Sequence, residues 1–444
     1  MFTTKDYALG FQHLLAMFGA TVLVPLITGL SPATALLCAG LGTLVFHLCT
    51  KGIVPVFLGS SFAFIPALCA IIGGKSENIP YAQCGIIAAG AVYLILSLIT
   101  KLVGAKAIKY LFPPCVTGPV IIIIGLSLTG VAVNDAFDFN NGVYTFTSQT
   151  VINGLVALFT FVVMAIGMNM EKGILKLIPI LIAIALGYLL CVILSFPGGF
   201  KMDYSPIVNA PWVNTPFITE GFVTLPKFSW EAIVLLAPIA LVTFMEHIGD
   251  ITTNGAVVGK DFFKDPGLHR TLMGDGLATM VAGFLGGPAN TTYSENTGVL
   301  ATTRNYNPAL LRLAAVFAIM LGLLGKFGAI LQTIPRPVKG GVELMLFGMI
   351  AAIGIRTIVE SKIDVSGSRN LSIMAGTLCA GLGLGSIGGI PVTFGSVSLS
   401  FSALFIATLV GVLLNLFLPG KPSHTEKDTE TPKLQLDKQE DTTK

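Results

Sequence analysis

Apolar residues run along this chain for tens of positions at a time. No Asp, Glu, Lys or Arg falls in 7–50, 177–200 or 370–420. A helix needs about 20 mostly apolar residues to cross a bilayer, so each run holds at least one crossing. Reading the whole chain this way predicts spans at 8–28, 32–50, 53–73, 81–103, 112–133, 149–169, 174–196, 229–251, 271–287, 290–303, 309–330, 336–355, 370–387 and 396–418, about fourteen in all. Two differ from the rest. The segments 53–73 and 290–303 are short or punctuated by Gly, Ser and Pro. They carry extended-type stretches, Val54-Pro55-Val56-Phe57-Leu58 and Asn290-Thr291-Thr292-Tyr293. Extended backbone at membrane depth is tolerated only where it is buried in protein or lines a cavity.

The pattern also divides the chain. A polar connection at 201–228 separates a first unit, 1–200, from a second, 229–420. A tail at 421–444, rich in Lys, Glu, Asp and Thr, is expected to be disordered. One echo links the halves: Pro113-Pro114-Cys115-Val116-Thr117-Gly118-Pro119-Val120 and Pro335-Arg336-Pro337-Val338-Lys339-Gly340-Gly341-Val342 both read P-x-x-V-x-G-x-V, 222 residues apart (116 to 338). The two broken segments fall at corresponding places. Seven spans per half is an odd number, so the second copy enters the membrane inverted. Inverted repeats with paired broken helices place a substrate site at their interface near the midplane.

Composition agrees. Hydrophobic residues make up 53% of the chain and charged residues 11%, with mean hydropathy +0.83, where soluble domains carry about 25% charged residues. A net charge of +3 gives no reason to expect a nucleic-acid partner. The seven cysteines lie singly, with no metal-ligand spacing, and read as packing residues. Lys and Arg set orientation: with the N-terminus inside, twenty of the 26 fall on one side and six on the other, which predicts cytoplasmic termini.

Five carboxylates stand in or near spans: Glu246, Asp250, Asp275, Glu295 and Glu343. An intramembrane ionisable group is a functional candidate by default. Glu246 and Asp250, four apart, share one helix face, where two like charges disfavour each other's ionised form and suit a proton-coupled carrier. Water contact at the helix end is the competing reading, stronger for Asp250 than for Glu246. Glu295 lies at the break itself, beside backbone N–H groups freed by the helix start, which can bind carbonyl oxygens of a flat polar ligand. An ordinary N-cap role is compatible with that contact. Gly59-Ser60-Ser61 lets backbone approach a ligand, and Phe62 either stacks on a planar ring or packs. Gln12-His13 reads as a polar pair bonded to a neighbouring helix rather than lining the cavity. Asp275 is a scaffold hydrogen-bonder or a cavity residue. His47 and His247 are too isolated to suggest a metal site. No nucleophile–base constellation or phosphate loop appears, which argues against an enzyme.

The run Glu295-Asn296-Thr297-Gly298-Val299-Leu300-Ala301-Thr302-Thr303-Arg304 resembles the signature of the nucleobase–ascorbate transporter family. So do Gln12-His13, Gly59-Ser60-Ser61-Phe62-Ala63-Phe64 and Asp265-Pro266-Gly267-Leu268-His269-Arg270. Within that family, Asn290-Thr291-Thr292-Tyr293 with Glu295-Asn296, and the segment 16–25, look most like its bacterial uracil permeases. The resemblance implies an all-α polytopic membrane protein of two inverted seven-span repeats, with core and gate domains. It implies proton-driven uptake of uracil across the inner or plasma membrane, no cofactor beyond the proton, and a homodimer. Carried over by position, Glu246 and Glu295 hydrogen-bond the base, backbone at Phe62, Ser294 and Glu295 completes its polar contacts, and Ala20, Tyr293 and Phe347 line the pocket. Asp250 joins Glu246 and Glu295 in proton coupling. Two positions depart from the pattern. Phe347 stands where a tyrosine is familiar, and Asp250 where a uracil permease carries histidine. Purine-transporting relatives often have an acidic residue there, although many have Gln where this chain has Glu295. A purine carrier (xanthine, guanine or urate) is therefore the alternative. An anion transporter on the same plan would want a cation at the break, against Glu295.

Overall fold

The computed structural model describes residues 3–104, 110–139, 145–170, 178–196, 200–216, 218–219, 222–394 and 397–419. The tail 421–444 and Lys106, Lys109, Lys172 and Lys176, which entered the orientation argument, lie outside them.

The first half opens with α1 (Thr4–Thr28) and α2 (Pro32–Cys49). Thr3 and Asp6 start α1 through a reciprocal capping box, and Gly29, at φ 81°, ends it. Ser31 caps α2, with Pro32 at its first position. The chain then runs through strand β1 (Leu58–Ser60) and a 3-10 turn into α3 (Ile65–Ile72). It continues as α4 (Ile79–Val103), α5 (Pro114–Ser127), α6 (Thr129–Phe137), α7 (Ser148–Asn169) and α8 (Pro179–Ser195). The connection that follows holds a short helix, α9 (Ser205–Asn209), and docks back on the protein: Asn214 N–H donates to Leu323 O at 2.7 Å, and Lys326 Nζ to Ile207 O at 2.6 Å.

The second half also opens with long helices followed by a short strand and a short helix. Helices α10 (Trp230–Leu236) and α11 (Ala240–Val258) join through a 3-10 turn containing Pro238. Then come α12 (Leu268–Leu285), strand β2 (Asn290–Thr292), α13 (Ser294–Thr303), α14 (Pro308–Leu323), α15 (Gly325–Gln332), α16 (Arg336–Glu360) and α17 (Ser368–Ser386). A hairpin of β3 (Ile390–Phe394) and β4 (Val397–Phe401) precedes α18 (Ala403–Phe417). The sequence reading placed 396–418 in one span. In the structure residues 397–401 form β4, because Val397-Ser398-Leu399-Ser400-Phe401 alternates apolar and polar with the period of a strand, not a helix, and Ser402 caps the helix beyond, its hydroxyl accepting from Phe405 N–H at 3.2 Å.

Among the described residues seven helices are long and apolar enough to cross a membrane, and four more are apolar but shorter. The chain is a multi-pass, all-α membrane protein apart from its two short strand pairs. Helices pack in two groups. In one, α4 lies on α12, α2 on α12 and α14, and α1 on α14. In the other, α16 lies on α5, α6, α7 and α8, and α17 on α18. Small residues allow the backbones to approach: Gly90 faces Gly276 between α4 and α12, and Gly118 faces Gly354 between α5 and α16.

The two extended stretches meet. Strands β1 and β2 pair antiparallel, Leu58 opposite Thr292, Gly59 opposite Thr291 and Ser60 opposite Asn290. Beyond each end the pattern continues, with Ser61 N–H donating to Ala289 O at 2.9 Å and Tyr293 N–H to Phe57 O at 3.0 Å. Backbone groups that a broken helix leaves unpaired are thus satisfied by the other broken helix, which is how non-helical backbone persists at this depth.

Candidate functional site

The crossing of β1 and β2 aims two half-helices. From β1 the chain enters the turn at Phe62, and from β2 it enters α13 at Ser294. No side chain caps either start, so first-turn N–H groups are left to bind a partner.

Glu246 and Asp250 reach the same place from α11, which packs on β2 and α13. Glu246 lies within electrostatic range of Glu295 and Asp275, and Asp250 within range of Glu246, Glu295 and Asp275. Asp250 is held by Thr292, whose hydroxyl donates to Oδ2 at 2.8 Å. The two carboxylates of α11 are half-buried, while Ser294 and Glu295 are accessible, although their neighbours Thr292, Asn296 and His247 are buried. Accessible carboxylate surface ringed by buried residues, on a helix wedged between α1 and α11, lines a recess into the protein.

The other residues named from the sequence pack together in one apolar cluster. Tyr293 is buried, and its hydroxyl donates to Ser60 O at 2.9 Å. Its ring covers Gly59, where a Cβ would collide with Tyr293 and with Thr21 Oγ1. Phe62 is half-buried, and its ring meets Phe347 edge-on at 6.2 Å. Phe347 and Ala20 are fully buried and belong, with Tyr293, to one apolar cluster.

Other side chains hold this arrangement rigid. Asn254 Nδ2 donates to Pro55 O and to Thr297 Oγ1, both at 3.0 Å, tying α11 to both broken segments. His13 is buried, and Asn296 Nδ2 lies 3.3 Å from its Nδ1 and donates to its carbonyl at 2.9 Å. Of the two readings of that histidine, the structure therefore has the helix contact. Asp275 is scaffold. His247 Nδ1 lies 2.8 Å from its Oδ2, and His247 Nε2 lies 2.9 Å from Thr271 Oγ1, all fully buried. The sequence reading set His247 aside as isolated. Its partner stands 28 residues away on another helix, so no local spacing announces the pair. Glu343 stands apart from the recess, at the junction of α16 with α6.

The sequence model of the Permease family matches residues 5–389. The probable uracil permease of Pasteurella multocida is 45% identical over 421 residues, covering 94% of each chain. The uracil permease of Bacillus caldolyticus is 44% identical over 420 residues, covering 94% of this chain and 93% of that one. That of Escherichia coli K12 is 41% identical over 408 residues, covering 92% and 90%. Among solved structures, the transmembrane domain of a cyanobacterial bicarbonate transporter, BicA, superposes with a TM-score of 0.60 at 13% identity, covering 93% of this chain and 97% of that one. The murine anion transporter Slc26a9 superposes with a TM-score of 0.64 at 11% identity, covering 93% and 67%. At such identities the likeness is one of fold.

Proposed function

The chain belongs to the Permease family, the nucleobase–ascorbate transporters its motifs resemble, and on that premise we propose that it is a proton-coupled uracil uptake transporter. The observation that carries this reading is that α11, which bears Glu246, packs on α13, whose uncapped first turn bears Glu295. Uracil offers two N–H donors and two carbonyl acceptors on a flat ring. Carboxylates accept from the N–H groups and first-turn backbone N–H groups donate to the carbonyls. The half-buried Phe62, braced by Phe347, offers a face for the ring. Relatives 41–45% identical over nearly their whole length are named uracil permeases or probable uracil permeases.

In this reading Glu246, Glu295 and the backbone at Phe62, Ser294 and Glu295 bind the base, Ala20, Tyr293 and Phe347 shape the pocket, and Asp250 joins the two glutamates in carrying the proton. A carboxyl that is protonated donates a hydrogen bond and an ionised one only accepts, so a proton and a base that bind the same groups bind interdependently. No cofactor takes part. The fourteen spans form two inverted repeats, 1–200 and 229–420. The matching order of elements in the halves and the antiparallel crossing of β1 with β2 support this. The two packing groups are the core and the gate. The chain is a homodimer in the cell membrane with cytoplasmic termini, in keeping with the excess of Lys and Arg on that side.

Labelled uracil is offered to proteoliposomes with and without an inward proton gradient, with thymine, xanthine and guanine as competitors. Gradient-dependent uptake that pyrimidines block and purines do not is the expected result. Uptake blocked by purines overturns the uracil assignment and makes Asp250 the residue to exchange for histidine. Uptake indifferent to the gradient overturns proton coupling.

A further inference from the structure

A second group of buried charges lies away from the recess, where α16 meets α6 and the end of α1. Gly340 sits directly against the backbone of Asp135 and Ala136, and this close approach brings α16 alongside α6. Lys339 Nζ lies 3.8 Å from Asp135 Oδ2 and donates to Leu26 O at 3.3 Å. Leu26 is in the last turn of α1, where carbonyls lack helical partners and a cation is favourable. One turn along α16, Glu343 is fully buried, and neither of its carboxylate oxygens has a hydrogen-bond partner among the described residues.

The charges do not balance. The groups acting on Glu343 are Asp135 from α6, and Lys339 and Arg336 from its own helix. From α3, the Cys69 thiol lies in range of both Asp135 and Glu343. Arg336 is committed to Asp138, its Nη1 lying 2.9 Å from Oδ1, and both side chains are well exposed. Lys339 therefore faces two carboxylates alone. With all three ionised the buried group carries one net negative charge, and the carboxylate without a partner bears the cost. A single proton on Glu343 removes it.

We propose that Glu343, with Asp135 and Lys339, forms a second proton-binding site, separate from the substrate carboxylates, whose occupancy keeps α16 closed against α1. The carboxylate takes up one proton and becomes the neutral acid. In that state Lys339 neutralises Asp135 and remains on the Leu26 carbonyl, so the seam is shut. When the proton leaves, two carboxylates compete for one ammonium, and opening the seam to water relieves the repulsion. The consequence reaches the recess through one helical turn. Phe347 lies four residues beyond Glu343, on the same face of α16, and its ring meets Phe62. Movement of α16 relative to α1 withdraws the support behind Phe62.

Infrared difference spectra of the purified full-length protein in lipid, taken between acid and alkaline buffers without nucleobase, test the site itself. Wild type is expected to show a protonated-carboxyl band that Glu343→Gln loses and Glu343→Asp retains. A band unchanged in Glu343→Gln overturns the proposal. A band that forms only when sodium is replaced by choline also overturns it, because the site then takes a metal cation. With no nucleobase present, this result stands apart from the outcome for uracil transport. Uptake adds the coupling: Glu343→Gln is expected to lose the alkaline fall in the wild-type pH profile, and Glu343→Asp to restore it. An alkaline limb identical in wild type and Glu343→Gln refutes control of the seam by this proton.

Discussion

Replacing Gly59 by alanine probes the crossing on which the site rests. Gly59 does not have a positive φ, so its backbone accepts alanine and the cost is one of space. The added methyl falls on Tyr293 Cε2 and Cζ and within 2.6 Å of Thr21 Oγ1. Tyr293 has nowhere to retreat: its N–H is bonded to Phe57 O and its hydroxyl to Ser60 O. Overpacking of a filled interior costs about 1–3 kcal/mol. A ring pushed aside leaves the buried Ser60 carbonyl unpaired for about 1–3 kcal/mol more. Reduced freedom of the unfolded chain returns about 0.4–1 kcal/mol. The net loss is about 1–6 kcal/mol, localised where Ser294 and Glu295 present their N–H groups. Thermal melting of the purified protein should fall, and uracil affinity should fall with it. Gly59→Ala combined with Thr21→Ala relieves only the hydroxyl contact and should recover a minor part of both. A Gly59→Ala protein that melts and binds like wild type would refute the packed crossing.

Four further outcomes follow from the same geometry. Glu295→Gln removes a charge-assisted acceptor and should weaken uracil binding by about 1.5–3 kcal/mol, about 10- to 150-fold, measured by calorimetric titration with the fold checked by size-exclusion chromatography; unchanged affinity removes Glu295 from the site. Glu246→Gln should strongly reduce uptake in a folded protein, and wild-type transport by it would remove that glutamate. Asp250→Asn should change the pH profile of uptake more than the melting temperature, and an unchanged profile places Asp250 outside the proton route. Asp275→Ala strips the buried partner from His247 and should destabilise the fold by about 3–5 kcal/mol if the pair is ionic; a melt within error of wild type would mean that His247 needs no anionic partner.

What could be read from sequence followed from whether the signal was local. The spans, the broken segments and the two carboxylates of α11 each declare themselves within a few residues: an apolar run, a Gly-Ser-Ser or Asn-Thr-Thr interruption, an i,i+4 pair. The pairing of β1 with β2 was only half legible, because sequence shows two extended stretches and cannot show that Gly59 faces Thr291. The hairpin before α18 was legible and missed, its five alternating residues hidden by the strongly apolar helix that follows. His247 with Asp275 and Asp135 with Lys339 join residues 28 and 204 positions apart. Such pairs are created by helix packing and leave no periodicity behind. The same distinction explains where the chemistry sits. Each half alone supplies an uncapped half-helix and cannot satisfy its own strand. Only the crossing of the two completes the backbone hydrogen bonds, Ser61 N–H from one half bonding Ala289 O and Tyr293 N–H from the other bonding Phe57 O. A site assembled this way loses its ligand geometry if either half rotates.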